Sequence, residues 1–186
     1  MKRVLFALLA ALLVPAAQAD EALWAKLKAG GNVVLMGHAS TEAGLGDPPG
    51  FKLGDYATQR NLSDAGREEA RRLGRQFKFR AINFTTARAS QWCRCLETAR
   101  LAFGEEPEPW PVLNSLHADA AGEAALVKEV NALAAKVKPP YNAALVTHNF
   151  NIRALTGISP KEAEIIVVRS VGGKLEVVGR MPLPPQ

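Results

Sequence analysis

The chain has 186 residues, 48% hydrophobic and 22% charged, and carries a net charge of +5. That length suits one domain with a real core after a short leader. Lys2 and Arg3 account for two of the positive charges, and no Lys/Arg run or aromatic-interleaved basic stripe follows, which argues against a nucleic-acid partner.

The first nineteen residues read as an export signal. Lys2 and Arg3 give a positive start, Val4 to Val14 are apolar, Pro15 breaks the run, and Ala17-Gln18-Ala19 forms a small-x-small cleavage site. The apolar run is shorter than the ~20 residues needed to span a bilayer, and no later segment approaches that length. Residues 1–19 are therefore expected to be removed, leaving 20–186 as a single periplasmic or secreted domain with no stable membrane span.

Glu21 to Lys28 is expected to form a short amphipathic helix, closed by Gly30-Gly31. Asn32 to Met36 (NVVLM) is a short apolar run, the mark of a strand buried on both faces. A Gly-, Pro- and Asp-rich stretch from Ala39 to Leu62 is longer than an ordinary connection and reads as functional. Ser63 is a good N-cap for a helix running to Lys78, with Ala70, Leu73 and Phe77 on one face and Arg67, Arg71, Arg72 and Arg75 forming a solvated basic face. Further along, strands are expected at Ile82–Ala89, Trp110–Leu113 and Ala143–Thr147. Helices are expected at Trp92–Phe103, around Leu126–Val137, and near Asn151–Leu155. Ile165–Val168 and Leu175–Val178 flank Gly172-Gly173 as a terminal hairpin. Alternating strands and helices imply a three-layer α/β/α sandwich with a mostly parallel central sheet.

Cys93 and Cys95 are the only cysteines. Two positions apart on a helix, they point to different sides and are expected to stay unpaired. No Cys/His cluster nearby in sequence would complete a metal site.

Two of the three histidines, His38 and His148, end apolar strands. Ligands of open α/β sheets sit outside the carboxyl ends of the strands, so these two can share a pocket. His117, in a polar loop, reads either way. Arg94, in SQWCRCLETA (Ser90 to Ala99), sits at a strand-to-helix turn, where a guanidinium fork and a helix N-terminus both favour phosphate.

In this order, LMGHAST (Leu35 to Thr41), TQRNLSDAGREEA (Thr58 to Ala70), SQWCRCLETA and LVTHNFNI (Leu145 to Ile152) resemble the successive motifs of the histidine phosphatase (phosphoglycerate mutase-like) superfamily. The leader and the GDPPGF loop (Gly46 to Phe51) look most like its small periplasmic branch, which includes enzymes proposed to dephosphorylate lipopolysaccharide core sugars. The resemblance implies a phosphoglycerate mutase-like fold and an extracytoplasmic phosphomonoester hydrolase that works through a phosphohistidine on His38. Arg94 and a protonated His148 would hold the phosphoryl oxygens, with no cofactor or metal. The expected partner is a phosphorylated small molecule or an envelope sugar phosphate.

Gly37 stands where the family's first-strand motif has an arginine. Losing one such donor costs ~3–4 kcal/mol, roughly 100- to 1000-fold in rate. That leaves two outcomes open: slow hydrolysis, or a protein that binds phosphorylated ligands without turnover. Arg60 is the first candidate to replace the lost arginine and Arg153 the second. For the leaving-group acid the resemblance points to the segment Leu113–Glu123, giving Asp119 first and Glu123 second, with Glu42 in the first loop a third choice.

Overall fold

The computed structural model describes residues 16–44, 46–117, 119–161 and 164–182. The basic start and apolar run of the export signal lie outside them. Among the described residues no helix is long and apolar enough to cross a membrane.

The elements run α1 (Ala16–Ala29), β1 (Val33–Gly37), α2 (Asp64–Phe79), β2 (Phe84–Ala89), α3 (Cys93–Phe103), β3 (Glu108–Pro109), α4 (Glu123–Ala134), β4 (Asn142–Thr147), α5 (Asn149–Thr156), β5 (Ile165–Val171) and β6 (Lys174–Met181). The strands form one sheet in the order β3-β2-β4-β1-β5-β6. The first four are parallel, and β5 and β6 add an antiparallel hairpin at one edge.

Period-two alternation sends the side chains of the central strands to two cores. Val34, Met36, Val146 and Val167 pack under α1, α2 and α3, against Leu27, Leu73, Phe77 and Ala99. Val33, Leu35, Leu145 and Ile166 pack on the other face, against Leu126 and Val130 of α4 and Ile152 of α5. Both faces are covered, so the central strands read as unbroken apolar runs. Leu73 and Leu126 are fully buried, and each contributes ~1.5–3 kcal/mol by leaving water.

Ser63 caps α2 as expected, its side chain accepting from the Gly66 N–H, and Ala70, Leu73 and Phe77 form the buried face. Several boundaries differ from the sequence reading, three of them for visible reasons or by several residues. Helix α1 begins at Ala16 rather than Glu21. Strand β2 begins at Phe84, because Ala81 turns the chain at φ 52 just before it. The third strand is Glu108–Pro109, and Trp110–Leu113 is not a strand: Pro111 opens a short 3-10 turn there. Proline lacks the N–H that a strand ladder needs and suits the first turn of a helix.

Candidate active site

The sheet register builds the site. Gly37 at the end of β1 lies opposite Thr147 at the end of β4. The next residues, His38 and His148, therefore leave the sheet side by side, with ring centroids 5.8 Å apart at 72°. Strand β2 flanks β4 on its other side, with Ala89 opposite Val146. Ser90 and the start of α3 consequently close the same end of the sheet.

His38 Nδ1 lies 2.9 Å from the Ala39 carbonyl oxygen. A carbonyl only accepts, so the proton sits on Nδ1 and Nε2 keeps a lone pair. The turn that supplies this carbonyl is held firmly. The Ala39 N–H donates to Thr98 Oγ1 (3.0 Å), and Ser40 donates from both N–H and hydroxyl to Glu69 (3.0 and 2.9 Å). Gly66 allows α2 to close on this turn: a Cβ there would lie 1.9 Å from the Ser40 carbonyl oxygen. Burial, with Arg94 and Arg60 adding to it, pushes the His38 pKa down to about 4. The ring is neutral at neutral pH, as a nucleophile must be.

His148 is buried at the N-cap of α5. Its Nε2 lies 2.9 Å from Ser90 Oγ and 3.7 Å from Cys95 Sγ, and the Trp92 ring meets its own ring edge-on at 5.3 Å. Burial first, then His38 and Arg94, push its pKa well down. Without a bound anion the neutral imidazole is therefore favoured at this position. Desolvation by neighbouring side chains is the cause.

Arg94, on the first turn of α3, is 5% exposed, and its Nη1 lies 2.7 Å from Asp47 Oδ1. Asp47 also accepts from the Arg60 N–H (3.1 Å) and from Trp92 Nε1 (2.9 Å). Burial alone would raise its pKa, but these hydrogen bonds outweigh burial and hold it below the ordinary carboxylate value. Phe51 packs on the Trp92 ring at 5.6 Å, fixing the far end of the GDPPGF loop. The Arg60 guanidinium donates to Thr41 Oγ1 (2.6 Å) and the Gly44 carbonyl (3.2 Å). It lies near enough to Arg94 and His38 to lower the pKa of His38, and burial first, then Arg94, lower its own. Arg94 Nε and Arg60 Nε are buried with no hydrogen-bond partner among the described residues. At Gly37, a Cβ would lie 2.8 Å from Asn149 Oδ1, so the exposed Asn149 amide borders the space where a side chain would leave β1.

The remaining candidates lie further out. Asp119 is exposed and accepts from the Ala121 N–H, capping a short 3-10 turn; it borders a cavity of about 370 Å³ shared with Trp92 and Asn114. Glu123, at the start of α4, is exposed, and so is Arg153 on α5. Glu42 is exposed on the first loop, beside a cavity of about 440 Å³ that Asp47 and Arg60 also line. His117 stacks on the exposed Phe150 at 5.0 Å. Cys93 and Cys95 are both free and buried. A cavity of about 600 Å³ lies at the amino end of β2 among Phe77, Ile82 and Phe103 and contains none of these groups. Among the described residues no cluster of His, Cys, Asp or Glu is arranged to hold a metal ion.

No family model matches the chain, and no curated protein is significantly similar to it in sequence. Solved structures do share its fold. The protein histidine phosphatase SixA complexed with tungstate is 16% identical with a TM-score of 0.61, the match covering 81% of this chain and 96% of that one. The alpha-ribazole phosphatase from Shigella flexneri is 13% identical with a TM-score of 0.57, over 78% and 94% of the two chains. Phosphoserine phosphatase from Entamoeba histolytica, in complex with 3-phosphoglyceric acid, is 17% identical with a TM-score of 0.55, over 80% and 95%. These neighbours are members of the histidine phosphatase superfamily, and their phosphoglycerate mutase-like fold is the fold of this chain.

Proposed function

We propose that the chain is a phosphomonoester hydrolase acting outside the cytoplasm, with His38 as its nucleophile. The observation that carries this reading is the His38 ring: Nδ1 is locked on the Ala39 carbonyl, the ring is neutral, and Nε2 is left with its lone pair beside a buried arginine and a second histidine. Nε2 attacks phosphorus in line and forms a phosphohistidine, which water then hydrolyses. The backbone carbonyl at Nδ1 stabilises the positive charge that grows on the ring.

Arg94 binds the phosphoryl oxygens through its unpartnered Nε and through the Nη group now on Asp47. The N-terminus of α3 adds favourable potential for an anion. Arg60, with its own unpartnered Nε, is the cation available for the place left by Gly37. A phosphate dianion beside His148 opposes the effect of burial and favours its protonated form, in which it donates to the phosphoryl group. That structural neighbours include a tungstate complex and a 3-phosphoglyceric acid complex supports this ligand class. The leader supports a substrate met after export, such as a phosphorylated small molecule or an envelope sugar phosphate.

The test is steady-state hydrolysis of p-nitrophenyl phosphate by the natural protein and by His38→Ala, Arg94→Ala and Arg60→Ala. His38→Ala should abolish turnover, and Arg94→Ala should lower it roughly 100- to 1000-fold. Full activity in His38→Ala refutes the reading. The Asn149 amide beside Gly37 favours a second reading, a phospho-ligand binder without turnover. Tight tungstate binding by a natural protein that hydrolyses nothing would establish that second reading.

A further inference from the structure

The hydrolase reading leaves one chemical need open: an alcohol leaving group requires a proton. The carboxylate that the fold brings into the pocket is Asp47, whose side chain is 9% exposed. Asp119, Glu123 and Glu42 are all exposed, and Asp119 spends a carboxylate oxygen on the Ala121 N–H. Asp47 is held from three directions, by the Arg94 guanidinium, the Trp92 indole N–H and the Arg60 backbone N–H. The start of α3 and one loop thus fix its position beside His38 and His148.

We infer that Asp47 is the proton donor to the leaving oxygen and the proton acceptor from water in the second step, an inference that rests on the phosphohydrolase reading. Asp47 Oδ1 sits 2.7 Å from the same guanidinium nitrogen that a phosphoryl oxygen would use. A phosphate drawn to Arg94 therefore arrives within contact distance of the carboxylate. Two anionic oxygen groups in contact do not both remain fully ionised, and one proton comes to be shared between them. The charged and titratable groups facing Asp47 are Arg94, Arg60, His38 and His148; against burial, the Arg94 guanidinium, the Trp92 indole N–H and the Arg60 backbone N–H hold it ionised until the phosphate competes for Arg94.

The proton balance closes over the cycle. With the dianionic ester bound and Asp47 protonated, the His38 Nε2–P bond forms as the P–O ester bond breaks. The electron pair of that bond goes to the ester oxygen, which takes the Asp47 proton and leaves as the alcohol. In the second step water attacks phosphorus and gives a proton to the Asp47 carboxylate. The P–N bond then breaks, its electron pair returns to Nε2, and phosphate leaves with both residues restored. No other reactant is required. The need for this proton depends on the leaving group: p-nitrophenolate departs readily as an anion, whereas an alkoxide does not.

The experiment compares kcat/KM for p-nitrophenyl phosphate and for a primary alkyl phosphate, using the natural protein, Asp47→Asn and His38→Ala. Asp47→Asn keeps an oxygen that can accept from Arg94 but has no acidic proton. The expected result is a loss of at least ~100-fold on the alkyl phosphate, from the contribution of a positioned acid, with less than a tenfold loss on p-nitrophenyl phosphate. Equal losses on both esters overturn the inference and leave Asp47 as a residue that positions Arg94. A gain on both overturns it in favour of a carboxylate that merely competes with phosphate. A second measurement needs no variant: across aryl phosphates of rising phenol pKa, the natural protein should lose rate only shallowly, and a steep loss overturns the inference. Turnover in His38→Ala, or no turnover of either ester by the natural protein, overturns it together with the hydrolase reading. Loss in His38→Ala with equal effects of Asp47→Asn on both esters removes the Asp47 role alone.

Discussion

Restoring an arginine at position 37 measures what Gly37 has removed. The built Cβ lies 2.8 Å from Asn149 Oδ1, too close for both to stay, but that oxygen ends an exposed side chain that can rotate away. Displacing it costs about 1 kcal/mol, the scale of an off-rotamer side chain. The regained phosphoryl donor contributes ~3–4 kcal/mol in the transition state. The net gain is about 2–3 kcal/mol, or roughly 30- to 150-fold in kcat for Gly37→Arg. Adding Asn149→Ala clears the space and should lift the gain to roughly 100- to 1000-fold. The assay is hydrolysis of p-nitrophenyl phosphate by the natural protein, both variants and Arg60→Ala. If Arg60 already fills the role, Arg60→Ala removes most of the natural rate and Gly37→Arg restores it in that background. A natural protein that is active, indifferent to Arg60 and no faster with Gly37→Arg in either background refutes this account of the pocket.

The Gly66→Ala variant places a methyl group 1.9 Å from the Ser40 carbonyl oxygen, and backbone must move to admit it; destabilisation of about 1–3 kcal/mol is expected, and an unchanged urea midpoint contradicts the packing. Because burial pushes His38 down to about 4, the acidic limb of kcat/KM should contain an ionisation near there and not only near the ordinary 6.5. The same depression has a stability consequence. The unfolded chain takes up the proton below about 6.5 while the fold resists until about 4, so stability present above 6.5 is lost as pH falls through that window. A urea midpoint flat across the window opposes a neutral buried His38. For export, fractionated cells should yield a mature chain starting at Asp20 outside the cytoplasm, and full-length protein confined to the cytosol refutes that proposal.

The site was legible wherever local sequence determines position. Two apolar runs ending in His38 and His148 required only that their strands be neighbours, and the Gly37–Thr147 register supplies that. The Ser63 cap of α2 and the end of α3 at Phe103 are set within one turn of chain, and both fall where the sequence puts them. Asp47 was not legible. It lies in a Gly- and Pro-rich loop without periodicity, and its partners Arg94 and Trp92 are more than forty residues away; its one signal was the GDPPGF stretch. The lowered pKa of ligand-free His148 was not legible either, because burial among Trp92, Ser90 and Cys95 is a property of the packed fold. Trp110–Leu113 looked strand-like from its apolar residues, yet a single missing N–H at Pro111 decides otherwise.

The central claim is covalent, so the decisive measurement is direct detection of the intermediate. The natural protein is mixed rapidly with a labelled aryl phosphate, quenched in alkali, where phosphohistidine survives, and the labelled peptide is sequenced by mass spectrometry. The account predicts one acid-labile phosphoryl group, on His38, that forms before steady state and is absent from His38→Ala. Turnover without a phosphorylated residue, or a phosphoryl group carried by His148 or any other side chain, contradicts it.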